Sequence, residues 1–388
     1  MRKVKFIAGT CGSVLLFILY ILNQRYKSRV LSHVKHDDSV SAKTRMISQD
    51  DTVNGTCTSK ENITFIKIHK TGSTTVQNVL LRYGDSNNLT FVLPRDKIIL
   101  GYPQPFKRKF MLEMPDGKYN ILCNHARFNN DEMTQLMPLN TVYITLIRDP
   151  VTQYESYFTY FGIGSACKIR STTGSSLKTF FNDPKKCYRK TKRNFMLFDL
   201  GMDEQLSGNM KEIDKMISFI DKKFSLVMIM EYMEESVILM KDLLCWNLED
   251  VTYFALNSRK EQSKHHIDEE TRRRILEWNS GDVKLYQHFN STLWQKIEKY
   301  GRSRMARDVK LLREMNKELT ERCLQSADDK ERGTEYHVYK PPGVVMDNQV
   351  LKKNAEKDCE RRVLPERIFT ALLKKKQFPQ EFANLVVS

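Results

Sequence analysis

The 388-residue chain has no internal repeat, no CxxC pair and no His/Cys cluster at zinc-ligand spacing. The first absence argues against solenoid and propeller architectures, and the others give a metal site little support. There is no GxxxxGK[ST] loop either, so the chain lacks the arrangement with which a kinase or other nucleotide phosphotransferase holds phosphate and magnesium. No small-x-small site follows the N-terminal apolar run, which argues against a cleaved signal peptide. Residues 25–60 carry no sustained apolar period and describe a stem, not a domain.

What is present at the N-terminus is Phe6 to Gln24, nineteen residues without a charge, between Arg2, Lys3 and Lys5 on one side and Arg25, Lys27 and Arg29 on the other. That length spans a bilayer. The expected organisation is a tail at 1–5, a transmembrane signal anchor at 6–24, a stem at 25–60, a catalytic domain at 61–322 and a C-terminal extension at 323–388. Sequons at Asn54, Asn62, Asn88 and Asn290, with seven cysteines beyond the anchor, point to the secretory lumen. An odd number of cysteines requires a free or intermolecular thiol. Cys167 with Cys187 and Cys323 with Cys359 are the expected disulfides, since each pair brackets a polar segment. The net charge of +16 favours an anionic partner. The basic helical stretch at 281–322, with a break expected at Gly301, reads as a solvated face and not as a nucleic-acid binder.

Short β-rich runs at 63–68, 119–123, 141–147 and 224–230 alternate with helical patterns at 73–83, 129–137 and 210–222, and 234–246 reads as a helix packed on the sheet. Alternation of this kind predicts an α/β fold with a mainly parallel central sheet flanked by helices.

Two strand-to-helix turns carry chemistry. In FIKIHKTGSTTVQNVL (65–80), a strand runs to about Ile68, a turn contains Gly72, and a helix starts near Ser73. Unpaired N–H groups at a helix start make a phosphate seat. Thr71, Ser73, Thr74 and Thr75 add hydroxyls and Lys70 a point charge. In TVYITLIRDPVTQYESYFTYFG (141–162), a strand ends at Arg148 and a helix begins at Pro150 with Asp149 as its cap. Arginine suits phosphate through its planar, multi-donor head.

The order K-[ST]-G-[ST]-T resembles the 5′-phosphosulfate loop of sulfotransferases, which use 3′-phosphoadenosine 5′-phosphosulfate (PAPS). In the second segment, Arg148 and Ser156 resemble the pair that holds the 3′-phosphate. Together with CNHARF (123–128), RNFMLFDLG (193–201), EYMEESVILMKDLLCW (231–246) and LYQHFNSTLWQKIEKYGRSRMARDV (285–309), these segments resemble the galactose 3-O-sulfotransferase family over roughly residues 60–322. The resemblance implies a P-loop-like sulfotransferase fold behind one membrane helix, in a single-pass type II Golgi enzyme with a lumenal catalytic domain. It implies transfer of a sulfuryl group from PAPS to the 3-hydroxyl of a terminal galactose. Galactosylceramide or a related glycolipid is the expected acceptor, with glycoprotein N- or O-glycans as the alternative. A catalytically inactive glycan-binding Golgi protein is the non-enzymatic reading, and a homodimer is among the expected assemblies.

Sulfuryl transfer needs a base for the attacking hydroxyl and positive charge at the leaving phosphate. His69 is the expected general base and Lys70 the group that meets the leaving phosphate. Lys67, two residues before His69, either assists that charge or reaches solvent. His125 and Arg127 follow a buried strand, where loops meet the ligand crevice of an open sheet, and are expected at the acceptor. Arg193 and Arg259 are basic enough to reach the 3′-phosphate, and Glu231 is expected to bind sugar hydroxyls.

Overall fold

Four short strands, β1 (Ile63–Ile66), β2 (Ile121–Leu122), β3 (Val142–Ile147) and β4 (Leu226–Ile229), form one parallel sheet in the order β2-β1-β3-β4. Every residue of these four strands is buried. This is why the strands read as continuous apolar runs: a parallel sheet is covered on both faces, so neither face selects polar residues. The computed structural model describes residues 57–169, 176–184, 187, 191–256, 259, 267–326, 333–337, 344 and 349–382. From Cys57 onward they belong to one compact unit.

The principal helices are α1 (Ser73–Ser86), α2 (Asn130–Leu136), α3 (Pro150–Tyr160), α4 (Phe195–Asp199), α5 (Met210–Lys223), α6 (Met233–Leu244), α7 (Glu269–Trp278), α8 (Ser280–Tyr300), α9 (Arg302–Cys323), α10 (Lys357–Val363) and α11 (Glu366–Gln377). Their starts follow local chemistry. Asp149 caps α3 by accepting the Thr152 N–H at 2.9 Å, with Pro150 in the first turn. Asn209 caps α5. Helix α8 buries Leu285, Phe289, Leu293 and Ile297, a four-residue spacing that puts one face on the core. Gly301, at φ 96°, separates α8 from α9 at the expected break.

The C-terminal segment is packed against α1. Asn78 donates to the Arg361 carbonyl at 3.0 Å, Gln77 donates to Glu366 at 2.8 Å, and Gln377 accepts the Phe91 N–H at 2.8 Å. Disulfides join Cys167 to Cys187 and Cys323 to Cys359, and a third, Cys57 to Cys245, closes a pair that the sequence left open. Cys123 is the buried free thiol. Among the described residues no helix is long and apolar enough to cross a membrane. The expected anchor at 6–24, the stem up to residue 56 and the Asn54 sequon lie outside them.

Two differences from the expected elements bear on the site. Strand β1 stops at Ile66 instead of Ile68, and β2 is reduced to two residues.

Candidate active site

In the order β2-β1-β3-β4, the chain leaves β1 towards one edge of the sheet and leaves β3 towards the other. The loops after these two neighbouring strands therefore part, and the crevice between them is a topological switch point, the usual ligand site of an open parallel sheet. Both phosphate-type motifs emerge there. Arg148 donates to the Lys70 carbonyl at 3.2 Å and Gln153 to the His69 carbonyl at 3.0 Å, so the start of α3 grips the loop that follows β1.

Adjacent residues of an extended strand point to opposite sides. His69 and Lys70 escape that rule because β1 has already ended and Lys70 adopts φ 64°. This left-handed conformation is uncommon for a residue with a Cβ and concentrates at functional sites. Both side chains reach the end of α3. The Lys70 ammonium lies 3.8 Å from the Tyr160 ring centroid, and the His69 ring lies 5.9 Å from Phe161. Gly72 has φ 82°, a left-handed conformation that favours glycine, and a Cβ there would also push against the flexible Met230 side chain.

His69 is held by Asp199. Its backbone N–H and its ring Nδ1 each reach Asp199 Oδ2 at 2.8 Å, and the Tyr102 hydroxyl donates to Oδ1 at 2.9 Å. The carboxylate is 1% exposed and the histidine 12%. An Nδ1–H donated to Asp199 leaves Nε2 with its lone pair free to take a proton. Burial, followed by the Asp199 charge, raises the Tyr102 phenol, which stays protonated as a donor. Asp199 closes α4, whose first-turn N–H groups at Met196 and Leu197 are accepted by the buried Asp282 carboxylate at 3.0 Å each. Burial pushes the Asp282 carboxyl up to about 7 against those two bonds.

Positive charge gathers beside the histidine. Burial first, then the charges of Arg259, Arg148 and Lys67, pull the Lys70 ammonium down to about 7, opposed by Glu155. Burial also lowers Arg148, with Glu231 opposing. Arg259 makes a two-pronged ion pair with Glu155 of α3, seven residues beyond Arg148, and Ser156 beside it is 4% exposed.

Several of the expected site residues have partners within the protein. Lys67 is 2% exposed and reaches no solvent: its ammonium is paired with Glu366 of α11 and lies 3.0 Å from His125 Nε2. His125 stacks on His69 at 4.0 Å and 15°, with Nδ1 3.0 Å from the Lys67 carbonyl. These partners require Nδ1–H as donor and Nε2 as acceptor, and burial and the Lys67 charge hold the ring well below the ordinary histidine range, hence neutral. Both ring nitrogens of His125 are thus occupied within the protein. The Thr71 and Ser73 hydroxyls donate to the Ile68 carbonyl at 3.0 and 2.7 Å, and Thr75 accepts the Leu256 N–H at 3.3 Å, so these three brace the loop, while Thr74 is half-buried in the first turn of α1. Arg127 donates to the Phe198 and Met202 carbonyls at 3.0 and 2.6 Å, and Arg193 to the Trp278 carbonyl at 2.7 Å. Glu231 accepts the Asp149 N–H at 3.1 Å and the Tyr286 hydroxyl at 3.2 Å, which fixes the RDP turn. Among the sequons, Asn62 is clasped between Asn140 and Asn120, Asn88 is exposed, and Asn290 lies in α8 with its Oδ1 buried. No group of three His, Cys, Asp or Glu side chains converges as around a metal among the described residues.

Sequence reasoning missed Asp199, Glu366, Glu155 and Tyr102. Asp199 had a signal, since it lies in the quoted RNFMLFDLG segment; Glu366 had none, because Lys67 and Gln77 are about 290 to 300 residues away. Replacing Glu366 with glutamine leaves Lys67 buried without its counter-charge. The expected loss of unfolding free energy is about 2 kcal/mol, below that of a fully buried pair because Lys67 retains His125 as an acceptor. Urea denaturation measures it, and an unchanged midpoint would refute the pairing.

A family model described as Galactose-3-O-sulfotransferase matches residues 1–377. The chain is 39% identical to the Galactosylceramide sulfotransferase of Homo sapiens over 277 residues, covering 70% of this chain and 66%, just under two thirds, of that protein. It is 34% identical to the Galactose-3-O-sulfotransferase 2 of Homo sapiens over 344 residues, covering 82% of this chain and 84% of that protein. To the Galactose-3-O-sulfotransferase 3 of Mus musculus it is 36% identical over 273 residues, 67% of this chain and 63% of that protein.

Proposed function

Because the chain belongs to the galactose-3-O-sulfotransferase family, we propose that it is an enzyme transferring the sulfuryl group of PAPS to the 3-hydroxyl of a terminal galactose, on a P-loop-like sulfotransferase fold. The observation that carries this reading is the convergence of His69, Lys70 and Arg148 on one crevice at the switch point. The donor set suits PAPS: burial, and then the charges of Arg259, Arg148 and Lys67, pull Lys70 down to about 7, and a multiply charged anion relieves that crowding of cations.

PAPS supplies the sulfuryl group, and its phosphate departs with the electron pair of the broken S–O bond. The N–H groups at the start of α1 and the Lys70 ammonium hold the 5′-phosphosulfate. Arg148 and Ser156 hold the 3′-phosphate, with Arg259 near enough to add charge. His69 Nε2 takes the proton of the galactose 3-hydroxyl as its oxygen attacks sulfur, and Asp199 stabilises the imidazolium that forms. Lys70 meets the charge that builds on the leaving phosphate.

Asp199 acts through His69. Asp199→Asn keeps the shape but frees the imidazole to adopt the wrong tautomer, and kcat is expected to fall about 10–100-fold. The rate-against-pH profile checks it: a full rate with an unshifted acidic limb would remove Asp199 from the mechanism.

The acceptor we favour is galactosylceramide or a related glycolipid, supported by the 39% identity to a galactosylceramide sulfotransferase. Glycoprotein N- or O-glycans are the second reading, favoured by the broader 84% coverage of Galactose-3-O-sulfotransferase 2. Full-length protein in detergent, given labelled PAPS and galactosylceramide, lactosylceramide and galactose-terminated glycans in parallel, separates them. No transfer to any acceptor would sink the enzymatic reading. Three disulfides form only in an oxidising compartment. They support a lumenal catalytic region; its retention in the Golgi membrane by a 6–24 anchor is part of the same proposal, and protease digestion of the chain in sealed vesicles without detergent would contradict that topology.

A further inference from the structure

Phe161 follows the last residue of α3 as its C-terminal cap, its N–H donates to the Tyr157 carbonyl at 3.1 Å, and Gly162 turns the chain away at φ 59°. The Phe161 ring is 43% exposed. It is not loose, because Tyr157 at 5.3 Å, Tyr160 edge-on at 5.2 Å and Phe195 edge-on at 6.4 Å support it. It lies 5.9 Å from His69, while Tyr160, its neighbour in the chain, carries the Lys70 ammonium. The candidate base thus stands beside a well-supported aromatic ring that is more exposed than the Phe195 ring also next to it.

We propose that Phe161 is the stacking surface for the apolar face of the acceptor galactose, and so a specificity-determining residue of the reaction proposed above, on which this inference rests. The axial 4-hydroxyl of galactose tips to one face of the ring. The C–H groups at C3, C4 and C5 are left as a continuous apolar patch on the other face. In glucose the equatorial 4-hydroxyl removes that asymmetry. An aromatic face gains by covering such a patch, through burial and through contact of positively polarised C–H with the π-cloud. A sugar lying against Phe161 also has its 3-hydroxyl, the neighbour of the patch, on the His69 side. Exposed aromatic area next to convergent polar groups is the usual make-up of a small-ligand site.

The test uses the full-length protein in detergent with methyl β-galactoside and methyl β-glucoside as probes. Saturation-transfer NMR reads sugar binding without turnover, and initial rates with PAPS read KM. The wild type and Phe161→Trp should saturate the galactoside H3, H4 and H5 protons in preference to those of the glucoside. Phe161→Ala should lose that preference and raise the galactoside KM roughly tenfold, the equivalent of about 1.4 kcal/mol of aromatic contact. Phe161→Leu, which keeps apolar bulk but no π-face, should behave like the alanine variant and covers the case in which that variant does not fold. Affinity for the product nucleotide adenosine 3′,5′-bisphosphate should not move in either. An unchanged galactoside KM with undiminished saturation in the alanine or leucine variant overturns the proposal. Phe161-dependent saturation without any sulfate transfer by the wild type would instead sink the transferase reading and leave the stacking surface standing.

Discussion

Replacement of His69 with alanine is expected to lower kcat by about 10²–10⁴-fold, the contribution of a positioned general base. The imidazole is aimed by a carboxylate that accepts both its Nδ1–H and the backbone N–H of the same residue. Only the ring bond is lost in the variant, so the loop keeps its anchor on Asp199 through the backbone. The carbonyl grips of Arg148 and Gln153 also survive, because they involve main-chain oxygens of the loop. Affinity for adenosine 3′,5′-bisphosphate should therefore stay within about twofold of the wild type, the scatter of a change that removes no ligand contact. Single-turnover measurement of sulfate transfer, with nucleotide affinity from calorimetry, separates the two quantities. His125 is no substitute base, since its Nδ1 and Nε2 are both engaged with Lys67. A variant that keeps more than about a tenth of the rate would place the base elsewhere.

Lys70→Ala should cost about 10²–10³-fold in kcat, the usual loss when one preorganised group is withdrawn from developing negative charge. Its pH behaviour gives a second, independent signature. In the free protein, burial and three neighbouring cations hold Lys70 at about 7, so near neutrality much of it is uncharged. A phosphate beside the ammonium favours the charged form and raises its pKa. Nucleotide binding above pH 7 must therefore take up a proton, and affinity must fall as pH rises through about 7 and beyond. Below that pH the ammonium is already charged in the free protein, and no proton is gained. Calorimetric titration with adenosine 3′,5′-bisphosphate at pH 8 in two buffers of different ionisation enthalpy reads the uptake. The wild type should show it and Lys70→Ala should not. Equal uptake in both proteins would show that the proton belongs to another group.

These expectations join sequence to structure unevenly. Arg148 and the His69–Lys70 pair could be read from local pattern, because a β-rich run followed by a turn residue and a capped helix marks the carboxyl end of a parallel strand. The strand order then brings two such ends together. The direction of the side chains could not be read that way. Lys70 at φ 64° breaks the alternation that a strand running to Ile68 would impose, and nothing in KTGST announces it. Arg127 and Arg193 show what local pattern leaves open. Both sit in suggestive motifs, and in the structure their guanidinium groups donate to the backbone carbonyls of Phe198, Met202 and Trp278. A cation's role depends on which acceptor lies nearest in space, and that acceptor can come from any part of the chain.

By itself, the sequence determined the class of the fold, the two loops that meet at the crevice and the residue types available for handling phosphate. These are consequences of periodicity, turn chemistry and helix starts, all of which act over a few residues. Tertiary structure alone decided that Asp199 aims His69, that Glu366 of the last long helix takes up Lys67, that Glu155 pairs with Arg259, and that Phe161 keeps an open face beside the base. The physical reason is the short range of hydrogen bonds and ion pairs. Within about 3 Å a buried charge must find its partner, and here the packing of α1, α3, α4 and α11 around the carboxyl ends of β1 and β3 sets those distances.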